Sequence, residues 1–322
     1  MWNIIGHERA VSLLSRQAEQ DALSHALLVV GPQGIGKSSL ATELAKTLNC
    51  VGPGPPCQEC AHCRQIESGG HPDVSVVEAE DGADTIKIEQ IRRLRETAAL
   101  RPFQGRQKVI VISGAEDLTP QAADALLKLL EDPPGDVTIV LTATDAASLP
   151  ATVVSRCRLL TLYPVPSTAI RDALASRGIA SAEDLASLAR GAPGWAVRAA
   201  ANPKVAARRR ELLDQLEGLP DKPLGERLRL AETLTAGKKD RGEIRQSIEL
   251  LLWSARDLLL VGCGLPAGIV DAPRQDLLLR QASRVSLAGI QRYLRSIALA
   301  MDRLDAGVDA RLTLEALMVR IP

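Results

Sequence analysis

Apolar residues follow two different rhythms along this chain, and the change from one to the other divides it. Between residue 26 and about residue 162, short apolar runs read as strands: Ala26-Leu27-Leu28-Val29-Val30, Val74-Ser75-Val76-Val77, Val109-Ile110-Val111-Ile112 and Thr138-Ile139-Val140-Leu141. The stretches between them place apolar residues three or four apart, Ile88, Ile91 and Leu94 in one and Ala123, Leu126, Leu127 and Leu130 in another. That is the period of a helix with one buried face. Apolar strands alternating with amphipathic helices predict an α/β domain whose parallel sheet is covered on both faces. Tyr163-Pro164-Val165-Pro166 breaks the pattern, because proline lacks an N–H and suits neither a helix interior nor a central strand. Residues 164–203 then read as short helices ending in Gly191-Ala192-Pro193-Gly194, and residues 204–322 as longer amphipathic helices with almost no strand signal. The expected organisation is an α/β domain over 1–163, a small helical lid over 164–203 and a helical bundle over 204–322.

Composition narrows the class. The 322 residues are 46% hydrophobic but only 2% aromatic, so the cores must be built from Leu, Ala, Val and Ile. Thirty-nine basic residues balance thirty-nine acidic ones, so no global field draws the chain to nucleic acid or an anionic membrane. The start, MWNIIGHERA, has none of the marks of a secretory signal. No apolar run reaches the roughly 18 residues of a membrane span. A cytoplasmic protein is expected.

Residues 31–38 read Gly-Pro-Gln-Gly-Ile-Gly-Lys-Ser, the G-x-x-x-x-G-K-S pattern, directly after an apolar strand and directly before a helical stretch. That context is what a phosphate-binding loop requires. Gly31, Gly34 and Gly36 let backbone amides turn toward phosphate oxygens. Lys37 would reach the β and γ phosphates of ATP, and the Ser38 hydroxyl would ligate Mg2+. The competing reading is a glycine turn that has ceased to bind nucleotide.

Cys50, Cys57, Cys60 and Cys63 have the spacing C-x6-C-x2-C-x2-C in a loop rich in proline and glycine. Clustered thiols in a reducing compartment more often hold metal than form disulfides. Four thiolates match tetrahedral Zn2+ and close its shell, which makes the site structural instead of catalytic. Reduced free cysteines or an iron–sulfur cluster are the alternatives.

A phosphate loop followed by a four-cysteine insert resembles the AAA+ subunits of bacterial DNA polymerase III clamp loaders. The resemblance continues through Ile4-Ile5-Gly6-His7, Ser24-His25-Ala26-Leu27, His71-Pro72-Asp73-Val74, Ala125-Leu126-Leu127-Lys128-Leu129-Leu130-Glu131-Asp132-Pro133-Pro134 and Ser155-Arg156-Cys157. It covers residues 4–157; beyond residue 200 only the helical character matches. It implies a five-subunit arc that opens a ring-shaped clamp and places it on primed DNA. The implied partners are gamma/tau-type motor subunits, a delta subunit, the sliding clamp and, through the assembly, primed DNA. The C-terminal helices are implied to form a collar.

Two departures from the resemblance separate motor from non-motor members, and one feature is retained. Motor subunits follow the strand equivalent to Val109–Ile112 with Asp and Glu, which organise Mg2+ and polarise the attacking water; here Ser113 and Gly114 stand there. Glu116 and Asp117 lie downstream, in the expected connection to the next helix. The lid pattern G-S-x-R, whose arginine touches ATP, is replaced by Gly191-Ala192-Pro193-Gly194, and Arg198, one helical turn further on, is read as a surface residue, with substitution for the lid arginine as the alternative. Arg156 is retained in the triplet that presents an arginine finger to ATP on the adjacent subunit; its bland reading is a strand cap or a partner for a carboxylate. The pattern resembles the non-motor delta prime type, which implies a stator with a vestigial or slow nucleotide site that would take ATP or ADP with Mg2+ without hydrolysing it. Thr142 or Thr144 occupies the γ-phosphate sensor position, or is ordinary strand structure. His7, His25 and Cys157 are read as structural. An ATP-hydrolysing gamma/tau-type motor and an AAA+ helicase loader or repair ATPase are the alternatives.

Overall fold

The computed structural model describes residues 2–80, 85–216, 218–236, 241–266, 269 and 275–322. They divide into two compact units, Met1–Val165 with Ala192–Trp195, and Pro166–Gly191 with Ala196–Pro322.

The first unit is built on a five-stranded parallel sheet in the order β2-β3-β4-β1-β5, formed by β1 (Ala26–Val30), β2 (Val74–Val77), β3 (Lys108–Ser113), β4 (Val137–Ala143) and β5 (Arg158–Thr161). Side chains alternate across each strand, and the two resulting sets enter separate cores. Ala26, Leu28, Val30, Ile110, Ile112, Ile139 and Leu141 pack with Ile91, Leu94, Leu126 and Leu130 of α4 (Ile88–Ala98) and α5 (Pro120–Glu131). Leu27, Val29, Val109, Val111 and Val140 pack with Leu14, Leu40 and Leu44 of α1 (Glu8–Glu19) and α2 (Lys37–Asn49). Burial on both faces is why the central strands carry no polar alternation. Each fully buried leucine in these layers contributes about 1.5–3 kcal/mol of transfer free energy.

Strand β5 is absent from the sequence-derived set. It is a four-residue edge strand, largely exposed, with Leu159 49% accessible, so it has no apolar run to betray it.

The turn before β3 is fixed by two buried polar residues. Asp73 accepts N–H groups from Phe103 at 2.7 Å, Gln104 at 2.9 Å and Gly105 at 2.7 Å. The Asn49 amide oxygen, at the end of α2, takes those of Arg106 at 2.9 Å and Gln107 at 3.1 Å. A Cβ at Gly105 would lie 2.3 Å from that oxygen, so only glycine fits. Burial alone would raise the Asp73 carboxyl, but the three backbone donors outweigh it and hold it below its ordinary value. A depressed carboxylate stabilises the fold above its unfolded pKa of about 3.9, and the gain is lost as pH falls through the folded value. Asp73→Asn is therefore expected to cost about 2 kcal/mol at neutral pH. Thermal unfolding across pH should show the gap to wild type closing on acidification; a constant gap would refute the charge-based account.

The second unit is helical among its described residues: α7 (Ser167–Ser176), α8 (Ala182–Ala189), most of α9 (Pro193–Ala201), α10 (Pro203–Leu216), α11 (Leu224–Thr235), α12 (Arg241–Gly262), α13 (Gln275–Ala282), α14 (Leu287–Asp305) and α15 (Ala310–Met318). Gly191–Gly194 does not close a run of helices. It opens α9 with Pro193 in the first turn, where a missing N–H costs nothing. Arg209 of α10 donates to the Leu188 carbonyl at 2.7 Å, and burial, with Arg190 nearby, brings its guanidinium down to about 9. No helix of the described residues is long and apolar enough to cross a membrane.

Candidate functional site

The phosphate-loop pattern follows β1 without a break, and β1 lies between β4 and β5. In open parallel sheets that reversal of strand order is where ligands bind, beyond the carboxyl ends of the strands. Gly31, Gly34 and Gly36 have φ of 154°, 75° and 111°, backbone that suits glycine alone. A Cβ at Gly31 would also meet the Leu162 carbonyl oxygen at 2.7 Å. Gly36 caps α2, so Lys37 and Ser38 form the helix start, the end whose N–H groups and dipole favour anions. The Lys37 ammonium donates to the carbonyls of Gly31 at 2.6 Å and Pro32 at 3.0 Å. It is thus folded onto the loop it would leave to reach a phosphate. His7 Nε2 holds the same loop through the Ile35 carbonyl at 3.0 Å.

Sequence reading missed what lies over the loop. The Trp195 amide donates to the Gly34 carbonyl at 3.2 Å. A Cβ at Gly194 would sit 2.9 Å from that carbonyl oxygen. The position compared above with a lid arginine is therefore pressed against the phosphate loop and accepts no side chain. Arg198 is exposed.

At the carboxyl ends of β3 and β4, Ser113 pairs in register with Thr142, and Thr142 with Val29. The Thr142 hydroxyl accepts the Gly114 amide at 3.3 Å. Glu116 and Asp117 form a 3-10 turn after β3. Glu116 Oε1 accepts the Thr144 amide at 3.0 Å, while its Oε2 is buried without a hydrogen-bond partner.

The four cysteine sulfurs lie within 4.8 Å of one another. Tetrahedral zinc with Zn–S bonds of about 2.3 Å needs sulfurs about 3.8 Å apart, so small shifts suffice, and the cluster can hold a metal ion. Cys60 caps α3 (Ala61–Glu67), accepting the Cys63 amide at 3.5 Å, and Cys50 and Cys57 accept amides in the same way. A Cβ at Gly52 would strike the Cys57 sulfur at 2.6 Å. Burial pushes the Cys63 thiol up to about 12. At Cys60 burial is outweighed by hydrogen bonds from the Cys63 and Val51 backbone and by the neighbouring thiols, giving about 6.

The insert is tied to the helix that starts at the phosphate loop. Lys46 of α2 is buried and donates to Glu43 and to the Gln58 side chain, each at 2.8 Å, and pairs with Glu67 at 2.5 Å. Gln58 donates back to Glu43 at 2.6 Å. Burial lowers the Lys46 ammonium, but the two carboxylates prevail and raise it, so it stays charged.

Arg156 follows the short helix α6 (Ala151–Val154). Its Nε donates to Glu131 at 2.8 Å, its Nη2 lies 2.5 Å from the same oxygen, and its Nη1 donates to the Thr152 carbonyl at 2.9 Å. The carboxylate-pairing alternative is thus what the isolated chain adopts. His25 Nε2 meets the Leu130 carbonyl at 3.0 Å, and Cys157 packs against the core with its thiol raised to about 11 by burial.

A family model described as DNA polymerase III, delta subunit matches residues 6–166. DNA polymerase III subunit delta' of Bacillus subtilis is 29% identical over 97% of this chain and 95% of its own. Subunit delta' of Pseudomonas aeruginosa is 35% identical over 54% of this chain and 55% of its own. Subunit tau of Escherichia coli is 37% identical over 48% of this chain and 24% of its own. Among solved structures, a DNA polymerase III gamma subunit-related protein from Thermotoga maritima is 20% identical, covers 96% of this chain and 97% of its own, and has a TM-score of 0.46.

Proposed function

Because this chain belongs to the DNA polymerase III delta-subunit family, we propose that it is a delta prime-type, non-motor subunit of a clamp loader, which supplies Arg156 to ATP bound on a neighbouring subunit. The observation that carries this reading is the pattern of coverage. The Bacillus subtilis delta' relative aligns over 97% of this chain and 95% of its own length, whereas the Escherichia coli tau relative aligns over 48% of the chain; the Pseudomonas aeruginosa delta' relative, at 54%, adds nothing to that contrast. Residues 31–38 bind ATP or ADP with Mg2+ and do not turn it over, since Ser113 and Gly114 bring no carboxylate to organise the metal or the attacking water. Zn2+ is the metal of the cysteine cluster, and it is structural.

In this reading the segment 164–203 is a lid and 204–322 a collar that joins the chain to gamma/tau-type motor subunits and a delta subunit. The assembly acts in the cytoplasm on the sliding clamp and primed DNA. A second reading, an ATP-hydrolysing motor subunit, draws support from the higher local identity to tau and from the unpartnered Glu116 oxygen; Glu116 would then have to replace the absent acid. Mass spectrometry of proteins that copurify with the tagged chain at low salt is the test. Recovery of a sliding clamp with other clamp-loader subunits is expected. Recovery of a helicase or repair complex without them would overturn the reading.

A further inference from the structure

We propose that Glu131 positions Arg156 for its action on the neighbouring subunit's ATP, an inference that rests on the trans-acting role given to Arg156 above. The two residues are 25 positions apart, at the end of α5 and just after α6, and meet only because those helices pack together. One carboxylate oxygen of Glu131 takes both Nε and Nη2, along one edge of the guanidinium plane. The Thr152 carbonyl takes Nη1 at 2.9 Å, and the Ser155 hydroxyl lies 3.4 Å from the same nitrogen. Together these contacts fix both the plane and the reach of a side chain that would otherwise sample many rotamers.

Stability does not account for the arrangement. The Arg156 and Glu131 side chains are 35% and 52% exposed, and exposed ion pairs contribute little to folding. The base beneath Glu131 is nevertheless rigid: Leu130 is 1% exposed, and its carbonyl is held by His25. A guanidinium carries five N–H donors. With Glu131 on one edge and Thr152 behind, a hydrogen on Nη2 remains for a γ-phosphoryl oxygen on the adjacent subunit. Orientation matters there because a misplacement of about 1 Å costs roughly a hundredfold in rate. Glu131 touches neither nucleotide nor phosphate in this scheme. It acts through Arg156.

The test uses the assembled complex carrying Glu131→Ala, Glu131→Gln, Arg156→Ala or Glu131→Ala with Arg156→Ala, with ATP turnover and thermal unfolding measured on each. Glu131→Ala is expected to lower kcat by about ten- to a hundredfold at unchanged KM for ATP, with unfolding unaltered. Glu131→Gln keeps an accepting oxygen and should restore most of the rate. In the Arg156→Ala background, loss of Glu131 should add nothing, because both changes remove one interaction. If Glu131→Ala raises turnover, the carboxylate competes with phosphate and the proposal is wrong. If turnover is unchanged while Arg156→Ala lowers it, Glu131 has no part and the arginine-finger reading stands alone. If Arg156→Ala has no effect, that reading falls and this proposal falls with it.

Discussion

Arg156→Ala in the assembled complex is expected to slow ATP hydrolysis at the site it faces by about 10³-fold, while Lys37→Ala changes turnover by less than about twofold. The asymmetry follows from where each residue acts. Charge develops on the γ-phosphoryl oxygens as the bond to the leaving group breaks, and a permanently ionised guanidinium stabilises it. Arg156 lies at the surface of its own unit, its side chain 35% exposed. Lys37, in the reading proposed above, would serve only the chain's own loop, where Ser113 and Gly114 bring no acid and where Gly194 and Trp195 press on the backbone at Gly34. Single-turnover phosphate release separates the one affected site from the others in the assembly. Reversed effects, with Lys37 essential and Arg156 dispensable, would make the chain a motor.

Removing the metal from the cysteine cluster should release the insert, with a loss of apparent binding energy on the order of 10 kcal/mol. The loop from Cys50 to Cys63 buries few apolar side chains of its own, so beside the hydrogen bonds of Gln58 to Lys46 and Glu43 its restraint would come from the metal-bound sulfurs. Hydrogen exchange after chelation is expected to rise across residues 50–67 and to stay slow in β1, β3 and β4. Simultaneous opening of the sheet would contradict the separation of insert from core. Metal affinity should also fall with falling pH. Binding must displace thiol protons, above all that of Cys63, whose thiol burial pushes up, so acid competes with the metal.

What could be read from the sequence was whatever repeats at short range. β1, β3 and β4 were legible because burial on both faces leaves unbroken apolar runs such as Ala26–Val30, and the edge strand β2 was legible from its three valines. The cysteine spacing was legible because ligands from one loop must lie close in sequence. β5 was not, since Arg158 and Thr161 flank only two leucines and the strand is largely exposed. Contacts between distant segments left no trace either. Asp73 stands in the quoted His71-Pro72-Asp73-Val74, yet nothing there announces that it holds the turn at Phe103, 30 residues away. Glu131 was likewise visible as part of a motif, but its pairing with Arg156 depends on how two helices meet. Trp195 and Gly34 are farther apart still, and their hydrogen bond exists only in the folded chain.

That last contact gives the protein an optical property. It has three tryptophans, and Trp195 is 4% exposed, with its amide bonded to the carbonyl of the phosphate loop. A ligand that draws Gly34 outward would break one of the two hydrogen bonds of the Trp195 amide, beside an indole whose emission wavelength depends on its surroundings. With Trp2 and Trp253 replaced by phenylalanine, the remaining fluorescence would come from a reporter that the fold itself has attached to the phosphate loop.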